Sequence, residues 1–283
     1  MEYAGLLVVG LCLMSAAGHA ASNVLVKASG DRMVFRTCLN LVTALWALPF
    51  VPFVALPNRE AFTHLLIGIP IHWAYQMAML QAFNRGDFGQ VYPVMRGLAP
   101  ALAAMGAFFV FGEMLNWLQL VGLLIACATV AAFAGLRVKA LLKPDPAILW
   151  AVLTAILIGL YTTNDAAGIR ANGDPWPYVV WFFILEGFGL GLTTLWVRRA
   201  GIIAIAKPMM GQAFIAGTFG VVSFGAALVA LSMAPVAIVT ALRETSVIFG
   251  AIFAAWFLKE GFGPKRIMLS IVLVGGLALL KLA

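Results

Sequence analysis

The chain has 283 residues, of which 63% are hydrophobic and 10% charged, and its mean hydropathy is +1.02. Soluble globular domains carry charge on about a quarter of their residues, so this composition excludes a water-soluble enzyme or binding module. The net charge of +7 and the pI of about 9.6 come from Lys and Arg in short gaps between apolar runs, not from one basic face of the kind that holds nucleic acid.

A bilayer core of about 30 Å takes about 20 helical residues to cross. In chain order the sequence predicts spans over 3–26, 33–56, 61–83, 89–112 and 115–136, then over 147–169, 176–197, 211–233, 236–258 and 264–283. The first run carries Glu2 and no Lys or Arg before Lys27, so it lacks the basic start of a cleavable signal and reads as a span. Pro93 and Pro100 each remove a helical N–H from the fourth run, which is expected to bend there. The longest polar stretch, Arg137 to Pro146, reads as a linker (137–146) between five-helix units 1–136 and 147–283. Cys12, Cys38 and Cys127 stand alone in separate runs without metal-ligand spacing, so they read as packing residues, and no metal or cofactor is expected.

Lys27, Arg32, Arg85, Arg137, Lys139, Lys143, Arg198, Arg199, Lys207, Lys259, Lys265 and Arg266 fall in odd-numbered connections, against Arg59, Arg170 and Lys281 on the other side. The positive-inside rule then places both termini outside. Five spans is an odd number, so the second half threads the bilayer in the opposite sense. The fourth and ninth runs align without a gap, pairing Arg96 with Arg243 and Glu113 with Glu260 at one offset of 147 (243 − 96 and 260 − 113). "KASG" at Lys27–Gly30 and "RANG" at Arg170–Gly173 end the first and sixth runs at an offset of 143 (170 − 27). The expected fold class is all-α: a polytopic membrane protein of about ten transmembrane helices in two inverted five-helix repeats.

Burying an arginine at membrane depth costs from about 2.5 to more than 10 kcal/mol, so Arg96 and Arg243 must face protein or a water-filled cavity. Each lies about seven residues, or about 10 Å, into its span. Because the spans are antiparallel, the two guanidinium forks suit one carboxylate or phosphate approached from opposite directions. The structural alternative pairs them with Glu186 or Glu244. Tyr92 shares the face of Arg96, while Thr240 and Ser246 flank Arg243. Glu244 lies about 100° around the helix from Arg243, so its expected partner is on another helix.

A second polar set comprises His19 and Asn23, then His72, Tyr75 and Gln76 with Trp73, then Tyr161, Asn164 and Asp165 with Thr162. These residues read either as the lining of a polar, aromatic cavity or as interhelical hydrogen bonds worth about 1 kcal/mol each. His72, Asp165 and Glu244 are the candidates for proton coupling. Arg36 and Glu186 read as a pair or as pathway residues.

On "HAASNVLVKAS" in the first run, "GQVYPVMRGLAPALAAMGAFFVFGE" in the fourth and "LRETSVIFGAIFAAWFLKE" in the ninth, the chain resembles the drug/metabolite transporter superfamily, specifically its EamA-type members with two five-helix repeats. The endings "FGE" at Phe111–Glu113 and "LKE" at Leu258–Glu260 are similar to that family's repeat signature. Tyr92-Pro93 and Arg96-Gly97 together with Leu242-Arg243-Glu244-Thr245-Ser246 resemble a subgroup with paired arginines, some members of which are associated with phosphonate use. The resemblance implies a non-enzymatic permease of a bacterial inner membrane. Its partners would be a small-molecule substrate and the lipid bilayer, with no nucleic acid and with a homodimer allowed. No Gly-rich Lys-Ser/Thr phosphate loop is present, so energy must come from a gradient or exchange. The expected function is alternating-access transport of a small anion, with export of neutral or cationic compounds as one rival and a membrane enzyme acting on a lipid phosphate as another.

Overall fold

The computed structural model describes residues 2–133, 145–257 and 264–282. Glu260 and residues 137–144 of the expected linker lie outside the described residues. Every regular element described is helical: α1 (Glu2–Ala28), α2 (Arg32–Ala47), α3 (Arg59–Arg85), α4 (Phe88–Gly97), α5 (Ala99–Phe111) and α6 (Trp117–Phe133), then α7 (Pro146–Asn172), α8 (Pro175–Arg198), α9 (Ile202–Ala206), α10 (Met210–Met233), α11 (Val236–Arg243), α12 (Ser246–Phe257) and α13 (Pro264–Leu282).

Asp31, Asn58, Asp145 and Asp174 each start a helix by accepting a hydrogen bond from a backbone N–H two or three residues on, and Pro146 and Pro175 occupy first helical positions where no N–H is needed. Among the described residues, seven helical segments are long and apolar enough to cross a membrane. The 27-residue α3 is long enough but carries His64, His72, Gln76 and Arg85, and two further apolar stretches, Trp117–Val130 and Met268–Leu279, are shorter. These account for the ten expected runs. Large apolar side chains such as Leu41, Phe109, Leu124, Leu192 and Trp256 point outward, where lipid is the solvent that suits them.

Two spans depart from continuous helices. The second was expected as one helix to residue 56, but α2 stops at Ala47 and continues as a 3-10 segment, Leu48–Phe53, because Pro49 and Pro52 break the α-helical ladder. The fourth breaks at Leu98, with Pro100 opening α5, as the prolines lead one to expect. The ninth breaks at Glu244–Thr245 with no proline inside it. Leu98 and Thr245 are 147 apart (245 − 98), so both broken helices open at matching positions, immediately beyond Arg96 and Arg243.

Packing repeats the same correspondence. The α1 helix lies on α10 as α3 lies on α7, α5 lies on α7 as α12 lies on α1, and α6 pairs with α13. Close approach of α1 and α10 lets Ser22 Oγ donate to Ala216 O at 2.7 Å and Ser223 Oγ donate to Ser15 O at 2.6 Å. Where α2 crosses α10, a Cβ on Gly217 would stand 2.6 Å from Val42 Cβ and 3.0 Å from Leu39 O. Gly217→Val is therefore expected to destabilise the protein by about 1–3 kcal/mol, read as a lowered midpoint of thermal unfolding in detergent.

Ties between helix ends fix which ends share a membrane face. At one face Lys27 Nζ donates to Phe83 O and Gly86 O, Arg32 reaches Asn84, Asp31 pairs with Arg198 at 2.7 Å, and Arg85 lies over the Trp150 ring. At the other face Asn58 joins Ala171 and Asn172, and Arg170 pairs with Glu113 at 2.7 Å while donating to Leu231 O and Ala234 O. Glu113 also accepts from Val236 N at 2.8 Å, capping α11. A chain that crosses at each of ten runs brings these same ends together, and the second five then run opposite to the first.

Candidate functional site

At the paired breaks sits a buried charge cluster. Arg96 on α4 and Glu244, beyond the end of α11, form an ion pair of 2.8 Å, both about 1–2% exposed. This corrects the picture of two arginines both free to close on one anion: Arg96 is engaged by a carboxylate from the opposite half, the structural alternative of the sequence analysis. Glu244 does find its partner on another helix, as its angular position required. Arg243 differs. Its Nε donates to Ser15 Oγ at 2.9 Å and its guanidinium lies 5.9 Å from the Phe224 ring centroid, with no carboxylate within ion-pair distance among the described residues.

Buried polar atoms in native proteins are nearly all hydrogen-bonded. Here Arg96 Nε, Arg243 Nη2 and Glu244 Oε2 are buried without a partner, and the buried hydroxyls of Tyr92 and Ser246 have none beyond each other. Four of the five can donate a hydrogen bond. The broken helices explain why they gather: each break ends the helix that carries an arginine and starts the next, so Ser246 opens α12 beside the end of α11.

Beside this cluster is a cavity of about 40 Å³ lined by His19, Ser22, Asn23, Arg36, Asn40, His72, Tyr75, Tyr161, Glu186 and Phe224, among others. A water needs roughly 10–15 Å³ measured this way, so in this conformation the cavity accommodates a few waters and no metabolite. Gln76 organises one wall: its Oε1 accepts from Arg36 Nε and Asn40 Nδ2, and its Nε2 donates to Glu186 Oε1 at 3.2 Å. Arg36 and Glu186 are thus bridged by an amide and both line the cavity. His72 Nε2 lies 2.8 Å from Asp165 Oδ2, and Asp165 Oδ1 accepts from Tyr178 Oη.

Of the residues singled out from sequence, His72, Tyr75 and Tyr161 line the cavity, Gln76 braces it, and Tyr92, Arg96, Arg243, Glu244 and Ser246 form the cluster. Thr240 lies buried, but its hydroxyl is spent on the carbonyls of Val236 and Ala237. Asn164 turns away, bonding His64 through both ends of its amide on a lateral apolar groove. Asn40, Ser15 and Ser223 were not anticipated. They are small polar residues within apolar runs, and only their contacts across helices reveal them. The cavity draws on α2, α8 and α10 as well as on the first, third and sixth spans expected to furnish it.

Residues 145–282, from the residue that caps α7 to the last of α13, match the EamA-like transporter family. The chain carries an EamA-like transporter domain. EamA proteins are membrane transporters of the drug/metabolite type, and the match over this half together with the apolar helices makes the protein an integral, multi-pass membrane protein. A solved crystal structure superposes on 99% of this chain and 96% of its own with a TM-score of 0.74 at 15% identity, which shows a shared fold extending beyond the matched EamA half. No curated protein matches the chain.

Proposed function

We propose that the protein is a secondary transporter that moves a small anion, a carboxylate, phosphate or phosphonate, across a bacterial inner membrane by alternating access. The observation that carries this reading is the cluster of unsatisfied donors at the two helix breaks. An anion accepts from Arg243 Nη2, Arg96 Nε, Tyr92 and Ser246, whereas a cation would add charge to a cluster that holds two guanidiniums against one carboxylate. Arg243 is the principal contact, and Glu244 competes with substrate for Arg96. Discontinuous helices facing each other across the two halves are the usual way for a carrier to present such a site near the midplane. Because the cavity is far smaller than a metabolite, loading requires the halves 1–136 and 147–283 to separate at one face, breaking either the Asp31–Arg198 tie or the Arg170–Glu113 tie. Lys27, Arg32, Arg85 and Arg198 gather at one face, which is assigned as cytoplasmic, with both termini outside.

The rival reading, a neutral or cationic substrate, draws on Glu186 and the Tyr75 and Tyr161 rings on the same cavity. Counterflow in proteoliposomes separates the two. The anion reading expects one or more of phosphate, methylphosphonate and glutamate to exchange and to be competed by other anions; transport indifferent to charge, or competed only by cations, overturns it. A reporter fused after Ala283 that behaves as cytoplasmic overturns the orientation.

A further inference from the structure

The interior holds a second charged group that the anion site does not use. His72 lies between two carboxylates: Nε2 is 2.8 Å from Asp165 Oδ2 on α7, and Nδ1 is 3.9 Å from Glu186 Oε1 on α8. Its ring is stacked on Tyr161 at 4.2 Å and boxed by Tyr75, Phe182 and Phe224, so it is held in this orientation from α3, α7, α8 and α10. The other described histidines are placed differently. His64 is bonded to Asn164, and the His19 ring stands 6.2 Å from that of Tyr92. Asp165 is fully buried and accepts from Tyr178 as well as facing His72, while Glu186 lines the cavity and accepts from Gln76, which links it to Arg36.

Charge balance connects this group to the anion site. Between the end ties, the described residues place three guanidiniums (Arg36, Arg96, Arg243) and three carboxylates (Asp165, Glu186, Glu244) in the interior. With His72 neutral this set sums to zero, so a bound monoanion would leave one uncompensated negative charge in a low-dielectric interior, which is costly. A proton on His72 restores neutrality. The geometry provides a route: a proton passes from the cavity by way of Glu186 to Nδ1, giving an imidazolium whose Nε2–H is shared with Asp165 Oδ2.

We propose that His72 and Asp165 form the proton-binding site of the carrier, and that one proton bound there accompanies each substrate anion in the same direction. This rests on the anion reading. The coupling is tested by mixing purified protein, weakly buffered and with a pH indicator, with whichever of phosphate, methylphosphonate and glutamate it binds. Wild type is expected to take up about one proton per anion bound beyond the ligand's own ionisation, which the variants supply as a blank. Asp165→Asn is expected to bind the anion and lose that uptake. His72→Gln, with its unfolding midpoint in detergent as the check that it is folded, is expected to lose proton-driven accumulation. Wild type that binds the anion with no proton uptake overturns the coupling alone, as does Asp165→Asn with full uptake. Wild type that binds none of the anions overturns the anion reading and the coupling with it.

Discussion

Glu244→Ala will destabilise the protein by about 3–5 kcal/mol, because it leaves the Arg96 guanidinium buried without its counter-charge. Arg96→Ala will do comparable damage for the converse reason, stranding a carboxylate that is 1% exposed. The double variant Arg96→Met with Glu244→Leu removes both charges while keeping apolar volume, so it will unfold closer to wild type than either single alanine variant. Thermal or denaturant unfolding in detergent measures all four proteins. A loss in the double variant equal to the sum of the two single losses would mean that the ion pair is not coupled. The double variant will still fail to transport if Arg96 also contacts substrate, so the same set of proteins separates the structural role of Arg96 from its transport role.

Arg243→Ala will behave in the opposite way. It will reduce anion affinity by about 30-fold or more, the effect of truncating one partner of a buried charged contact worth at least about 2 kcal/mol. Its stability, however, will fall by less than that of Glu244→Ala, because no buried counter-charge is stranded. What the substitution removes from the fold is one bond to Ser15, an outlying contact with Phe224 and the packing of a fully buried side chain, while it also relieves a buried cation that has no acid within ion-pair distance among the described residues. Anion-induced stabilisation, which follows mass action, reads the first effect, and the midpoint without ligand reads the second. A severe loss of stability with unchanged affinity would make Arg243 a packing residue.

The contrast between these two arginines marks where the sequence stops being informative. Their equivalence is plain in the text of the chain, at one offset and in matching apolar runs. Their inequality is not, because Glu244 is a side-chain partner chosen by three-dimensional proximity across the halves, and periodicity on one helix says only which face it leaves. The helix breaks show the same limit. Pro100 announces the first, whereas Glu244–Thr245 breaks without proline or glycine, under tertiary constraint and by correspondence with the other half. The apolar runs, their punctuation by Asp31, Asn58, Asp145 and Asp174, and the parity of the crossings were legible because each rests on local chemistry. Asn40 and Ser15 were not, since a lone small polar residue in a span is uninformative until its partner across the interface is known.

The ties at the two faces differ in kind. Arg170 is held by a carboxylate, two main-chain carbonyls and the Phe111 ring, while Arg198 bonds Asp31 and no other group among the described residues, with its side chain 40% exposed. Dissolved ions screen the second far more than the first. On the alternating-access reading, ionic strength is therefore a one-sided lever: raising it loosens the Asp31–Arg198 face and is expected to bias the protein toward opening there, an asymmetry that the matching backbone of the two halves conceals.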